Sequence, residues 1–206
     1  MPEPDLAPRV AAGLWEQRAP DPRPPAARPL LVVMAGVPLG GKSTLARALA
    51  AASPAAAMHV ENDVVRVAVA AALRRAQPAH DGVEHFLTYR ASWALAELAL
   101  RNGLHAVHDA TNLTESQRRG AYRAAAAAGA EVAVVFVLAA PEVLAQRASG
   151  LAPDRQLAHA KLGAKVPRPE ASLPFVAVDG AAPLAPSLAA LRAAAALAPL
   201  FLTRAG

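Results

Sequence analysis

Cysteine is absent from the 206 residues, which excludes disulfides, thiolate metal sites and a cysteine nucleophile. Lysine is nearly absent: Lys42, Lys161 and Lys165 stand against 18 arginines, so each lysine asks for a reason. Aromatic residues make up only 4%. No uncharged apolar run reaches about 18 residues, so no membrane span is expected. The first residues, Met1-Pro2-Glu3-Pro4-Asp5, hold acids and prolines where a signal peptide needs basic and then apolar ones. A cytoplasmic protein is the expectation.

What is present is apolar and alanine-rich. Hydrophobic residues reach 54%, enough for a full core in one domain of ordinary size. The formal net charge is +5. Residues 1–29 contribute nothing to it, since four arginines balance four acids, but they carry eight of the 19 prolines. They read as a proline-rich N-terminal tail, with a disordered extension favoured over a packed one even though Leu6 to Gln17 could form a short helix. The charge excess lies in residues 30–206, the folded domain. It suits an anionic ligand and is modest for an obligate nucleic-acid binder.

From Leu30 the periodicity changes. Leu30 to Ala35 is a continuous apolar run, as expected of a strand buried on both faces. A glycine-rich turn and a helix from Lys42 to Ala52 follow. Met58 to Glu61, Leu104 to His108, Val132 to Leu138 and Phe175 to Val178 read as further strands. Helices are predicted from Asp63 to about Arg75, Val83 to Arg101, Thr114 to about Ala128, Pro141 to about Ser149, and Ser187 to Leu197. Strands alternating with helices predict an α/β fold of three layers around a five-stranded parallel sheet. Ligands of such sheets bind beyond the carboxyl ends of the strands.

Gly36-Val37-Pro38-Leu39-Gly40-Gly41-Lys42-Ser43-Thr44 opens with G-x-x-x-x-G-K-S, set between an apolar strand and a helix. Glycines let backbone N–H groups turn inward around a phosphate chain, and the helix N-terminus adds positive potential. Lys42 is a point charge for the β- and γ-phosphates and Ser43 a ligand for Mg2+. At this composition a shuffled chain would show the pattern about six times in ten thousand. Nucleotide binding, with ATP and Mg2+, is therefore expected.

Two acids fall at the same sheet end. Asp63 starts the helix after the second strand, with Arg66 one turn later on the same face. Asp109 ends the third strand in His108-Asp109-Ala110-Thr111-Asn112. Each alone reads equally well as a helix N-cap or a turn aspartate. The histidines lack ligand spacing, and His105 and His108 should point to opposite faces of their strand. Tyr89 and Trp93, four apart on a helix, read as core.

In this combination the sequence resembles the P-loop kinases grouped with polynucleotide 5′-kinase, zeta-toxin-like kinases and chloramphenicol phosphotransferase. The resemblance rests on Gly36 to Thr44, Asn62-Asp63-Val64-Val65-Arg66, Asp109-Ala110-Thr111-Asn112 with Arg118 and Arg119, and the strand from Val132 to Leu138 leading into Ala140-Pro141-Glu142-Val143 and Arg147. It implies a kinase-type P-loop NTPase fold with a short lid at about residues 150–170. It implies that Asp63 takes the acceptor hydroxyl's proton, Arg66 holds a substrate anion, Asp109 lies near the metal, and Arg147 reaches the ATP phosphates. Where such kinases place a second lid arginine this chain has Leu151; Arg155, Lys161 and Lys165 are the basic residues left to substitute. The expected activity is transfer of the ATP γ-phosphate to a hydroxyl of a small molecule, which suits an anionic one. A nucleic-acid acceptor is allowed but less favoured, given the modest charge and few aromatics. The alternatives are an ATP-driven switch, which does not require Asp63 with Arg66, and a toxin-like kinase of a nucleotide sugar.

Overall fold

The structure is a computed structural model and describes residues 5–151 and 173–202. The strands are β1 (Leu30–Ala35), β2 (Ala57–Glu61), β3 (His105–Asp109), β4 (Glu131–Leu138) and β5 (Phe175–Asp179). They form one sheet in the order β2-β3-β1-β4-β5, every neighbouring pair parallel. The central strand β1 is buried at every position, which is why it reads as an unbroken apolar run. The connection after β1 runs outward to the edge strand β2, whereas the one after β3 runs back past β1 to β4, so the crevice between the carboxyl ends of β1 and β3 is a topological switch point.

Helices cover both faces. On one lie α1 (Leu6–Gln17), α3 (Asn62–Ala72), α4 (Gly82–Arg101) and α5 (Glu115–Ala127). On the other, α2 (Lys42–Ala52) packs with α7 (Leu184–Ala193) and α8 (Ala198–Phe201) around Val32, Met34, Leu49 and Leu191. α6 (Pro141–Ala148) follows β4 with proline in its first turn. The three-layer α/β architecture with five parallel strands is as expected. No single described helix is long and apolar enough to cross a membrane.

Three local expectations are corrected. The N-terminal segment is packed over its described residues: Leu6, Ala7 and Ala11 enter the core against α3 and α4. Behind α1, Arg23 donates to the carbonyls of Ala50 (2.7 Å) and Ser53 (3.0 Å). It thereby satisfies backbone acceptors that the end of α2 leaves open. Next, α3 ends at Ala72 and not near Arg75, because Arg74 turns to φ +58 and Arg75 bonds back to the Ala70 carbonyl. Finally, the last helix begins earlier, at Leu184, and breaks at Ala194, whose backbone is extended. The break turns Leu197 and Leu200 into the core. The expected lid falls almost wholly outside the described residues, as do Arg155, Lys161 and Lys165.

Candidate active site

The segment after β1 folds back over the sheet end as a tight loop. Leu39 takes φ +64 and Gly41 φ +95, a region that costs residues with a side chain and that glycine enters freely. The Gly36 N–H donates to the Thr111 carbonyl (2.9 Å) and the Gly40 N–H to the Val37 carbonyl (3.2 Å). A Cβ on Gly36 would collide with the Val137 carbonyl, and one on Gly180 with the Gly40 carbonyl. The loop is thus clamped between β4 and the turn after β5. Pro38 is half-buried in this loop, and Ser43 and Thr44 lie exposed in the first turn of α2, where the helix's free N–H groups emerge.

Lys42 is buried, and its Nζ donates to the Val37 carbonyl (2.8 Å). Burial pushes its ammonium below the usual lysine range, while the charges of Asp109 and Asp63 oppose the change. Asp109, the last residue of β3, is buried, and the Nε2 of His59 lies 3.2 Å from its Oδ2. Burial alone would raise its carboxyl; the bonds from His59 and Ser43, with the charges of His59 and Lys42, outweigh it and hold the group below the usual range.

Asp63 belongs to the first turn of α3, not to its cap, and its side chain makes no capping bond. It is exposed, and among the described residues no hydrogen bond or ion pair holds its carboxylate. The register Glu61↔Asp109 starts α3 just beyond Asp109, so both acids occupy the same sheet end, within electrostatic range of Lys42. Arg66, one turn on, is buried and turned toward α4, where its Nη1 lies 3.4 Å from Glu84 Oε1. This partner is neither Asp63 nor Glu61. Its Nε is buried without a partner among the described residues. Glu84 is itself fully buried, accepts from the N–H groups of Ala79 (2.8 Å) and His80 (3.1 Å), and also binds Arg75 (3.2 Å). Burial tends to raise its carboxyl, but these donors hold it below the usual range.

Arg147, at the end of α6, spans the loop from the far side. Its Nη1 donates to the Leu39 carbonyl (2.8 Å) and its Nη2 to the Gly180 carbonyl (2.9 Å). Lys42, Ser43, Thr44, Arg147, Asp179, Gly180 and Leu184 line one cavity of about 540 Å3, a volume within the ordinary range for a bound nucleotide or cofactor. Asp63 and Arg66 lie outside that lining. Of the other residues in the motifs, Arg118 is buried, donates to the Asn112 carbonyl (2.6 Å) and faces the Phe136 ring, while Arg119 pairs with Glu115 on the surface. His105 and His108 do face opposite sides: His105 accepts from the Leu30 N–H, and His108 meets Ser92 and Asn112. Sequence reasoning missed His59 and Glu84. No local motif announces them; they are found only by strand register and by helix-to-helix contact.

The donor set fits a triphosphate with Mg2+. The glycine-lined loop presents backbone N–H groups and one buried ammonium, and the Ser43 hydroxyl and Asp109 carboxylate are the hard oxygen donors that Mg2+ takes alongside phosphate oxygens.

A family model for an AAA domain matches residues 31–161. Among solved structures, a sugar kinase from Janibacter sp. HTCC2649 is similar with a TM-score of 0.61 at 17% identity, over 85% of this chain and 99% of that one. The Mycobacterium tuberculosis APS kinase CysC in complex with AMPPNP and APS gives 0.59 at 18%, over 82% and 97%. A gluconokinase from Sinorhizobium meliloti 1021 gives 0.57 at 23%, over 84% and 91%. No curated protein matches the sequence. At these identities the likeness of the structures is one of fold.

Proposed function

The chain belongs to the AAA domain family, in its P-loop kinase-like form, and on that premise we propose that it is an ATP-dependent phosphotransferase that moves the γ-phosphate to a hydroxyl acceptor. The observation that carries the reading is Asp63. An exposed carboxylate with no hydrogen-bond partner among the described residues, within electrostatic range of the P-loop lysine but outside the lining of the cavity, supports a role toward a second substrate. A protein that only binds and hydrolyses ATP has no need of it.

The roles follow from position. The P-loop N–H groups and Lys42 cradle the β- and γ-phosphates, and Arg147 neutralises charge from the opposite side. Ser43 and Asp109 would hold Mg2+, which when bound offsets the charge of the phosphate oxygens. Asp63 orients the acceptor hydroxyl and takes its proton. The acceptor oxygen forms a bond to the γ-phosphorus as the bond from phosphorus to the bridging oxygen breaks, and that electron pair leaves on the β-phosphate of ADP. Arg66, one turn after Asp63 and held by Glu84, is the residue assigned to an anionic group on the acceptor, because its planar fork suits phosphate or carboxylate. The low aromatic content and modest net charge favour a small molecule over a polynucleotide. The named kinases of similar fold differ in what they phosphorylate, so the fold does not select the acceptor.

The test begins with labelled ATP and a panel of small hydroxyl compounds, half of them carrying a carboxylate or phosphate. With an acceptor in hand, Asp63→Asn should keep near-normal ATP affinity and slow transfer by about 10²-fold or more. Loss of ATP affinity would move Asp63 to the nucleotide site. ATP hydrolysis stimulated by no hydroxyl compound would favour a switch.

A further inference from the structure

We propose that His59 is a positioning residue for Asp109, fixing its carboxylate from the neighbouring strand at the carboxyl end of the sheet. The proposal rests on the reading of Asp109 as an acid of the Mg2+ site. Nothing in the P-loop motif or the strand-end acids calls for a histidine here.

The register of the sheet brings the two together. β2 pairs with β3 as His59↔Val107 and Glu61↔Asp109, and side chains two residues apart on a strand share a face. His59, Glu61 and Asp109 therefore stand on the same side of the sheet, the side of α2. β2 is the edge strand, and an imidazole there has open water to turn to. Instead it lies against Asp109, with Nε2 3.2 Å from Oδ2, where the side chains are only 15% and 3% exposed. An ionised carboxylate has no proton to give, so the imidazole must donate from Nε2.

The other ring nitrogen is also in contact. Nδ1 lies 3.9 Å from Glu61 Oε2, and the same Glu61 oxygen lies 3.8 Å from Arg47 of α2. A line of contacts thus runs from α2 through Glu61 and His59 to Asp109. Its effect is orientational. A carboxylate without that partner could rotate about its last torsion. One held on Oδ2 from a second strand presents its remaining lone pairs in one fixed direction. Outer partners of this kind set the geometry and affinity of a metal site without touching the metal.

The experiment measures metal binding directly, on the full chain, with Mn2+ as the probe. Free Mn2+ is followed by its electron paramagnetic resonance signal in the presence of a non-hydrolysable ATP analogue. His59→Ala should weaken Mn2+ binding about 10- to 100-fold, while the affinity for the analogue without divalent metal is unchanged. His59→Gln, which returns an amide N–H to the position of Nε2–H, should bind Mn2+ close to wild type. Wild-type Mn2+ affinity in His59→Ala would overturn the proposal, and so would a loss in His59→Gln as large as that in His59→Ala. Should His59→Ala fail to fold, near-wild-type binding by His59→Gln supports the proposal, and impaired binding by folded His59→Gln overturns it. Asp109→Asn runs in parallel. If it too binds Mn2+ like wild type, the metal reading of Asp109 has failed and the proposal falls with it. If Asp109→Asn is impaired and His59→Ala is not, only the positioning role falls.

Discussion

His108 ties the fold to the site through its protonation state. The side chain is fully buried on β3, one residue before Asp109. Asn112 donates from Nδ2 to the Met34 carbonyl at 2.8 Å, which fixes the orientation of its amide. The same NH2 group lies 3.2 Å from His108 Nδ1, so Nδ1 must accept. Nε2 then carries the proton and donates to the Ser92 hydroxyl at 3.0 Å. The neutral ring is satisfied on both sides; adding a proton to Nδ1 would set one donor against another. Burial lowers the pKa from 6.5 to about 4, with Asp109 opposing, a difference worth roughly 3 kcal/mol at about 1.4 kcal/mol per unit. The folded state resists the proton that the unfolded chain accepts, so this stability is fully present above pH 6.5. It is lost as pH falls toward 4. The carboxylates held below their usual values, among them Asp21 (about 2, through Arg23), Asp81, Asp109 and Glu84, lose their contributions only below the ordinary values of 3.8 for aspartate and 4.5 for glutamate. The upper part of the histidine window therefore stands clear of them. His105, lowered to about 4 by burial and then by Arg23, adds a similar slope. Urea unfolding between pH 7 and 4.5 should show stability falling with pH. His108→Gln, whatever its stability at pH 7, should remove a large part of that fall. A flat profile, or an unchanged slope in His108→Gln, would refute the argument.

Two further outcomes are expected. In Gly180→Ala the new methyl would collide with the Gly40 carbonyl, so the P-loop must shift; nucleotide affinity by calorimetry should drop at least several-fold, and unaltered affinity would mean the clamp is dispensable. Arg66→Lys loses the planar fork that binds Glu84 and that, on the proposed role, also meets an acceptor anion, so the acceptor KM should rise with the KM for ATP nearly unchanged; a fall in Tm with both KM values intact would leave Arg66 a purely structural partner of Glu84.

The two halves of the site were not equally legible, and the reason is physical. The phosphate cradle is made by consecutive residues acting mostly through their backbone. Gly36, Gly41, Lys42 and Ser43 carry their chemistry in their spacing, and a reader of the sequence can place them without knowing the sheet order. The strand ends were legible in the same way, because an apolar run stops where its acid begins. Asp63 and Asp109 could thus be assigned to one end of the sheet before any register was known. The N-terminal segment reads as a tail because of its prolines, yet over its described residues it packs on the core. Here the prolines accompany an extended stretch whose Arg23 completes the end of α2, and that need is visible only from the other side of the contact.

The acceptor half is built the other way, from side chains that meet across long sequence separations. Arg66 lies one turn from Asp63, which suggested a shared pocket, yet its direction is set by Glu84 on another helix. Glu84 in turn is held in place by the backbone of Ala79 and His80 and by Arg75, where α3 ends early. A buried charge of this kind is tolerable only when its partners are fixed, so the early stop of α3, the turn at Arg74 and the direction of Arg66 are one event and not three. The same holds at the metal side, where His59 reaches Asp109 only because β2 lies beside β3 and not beside β1. Local spacing can therefore announce that a nucleotide binds. What surrounds Asp63, the proposed acceptor side, is decided by contacts that exist only once the sheet order and the helix ends are set, and on that proposal it is there that substitutions should change selectivity without disturbing ATP.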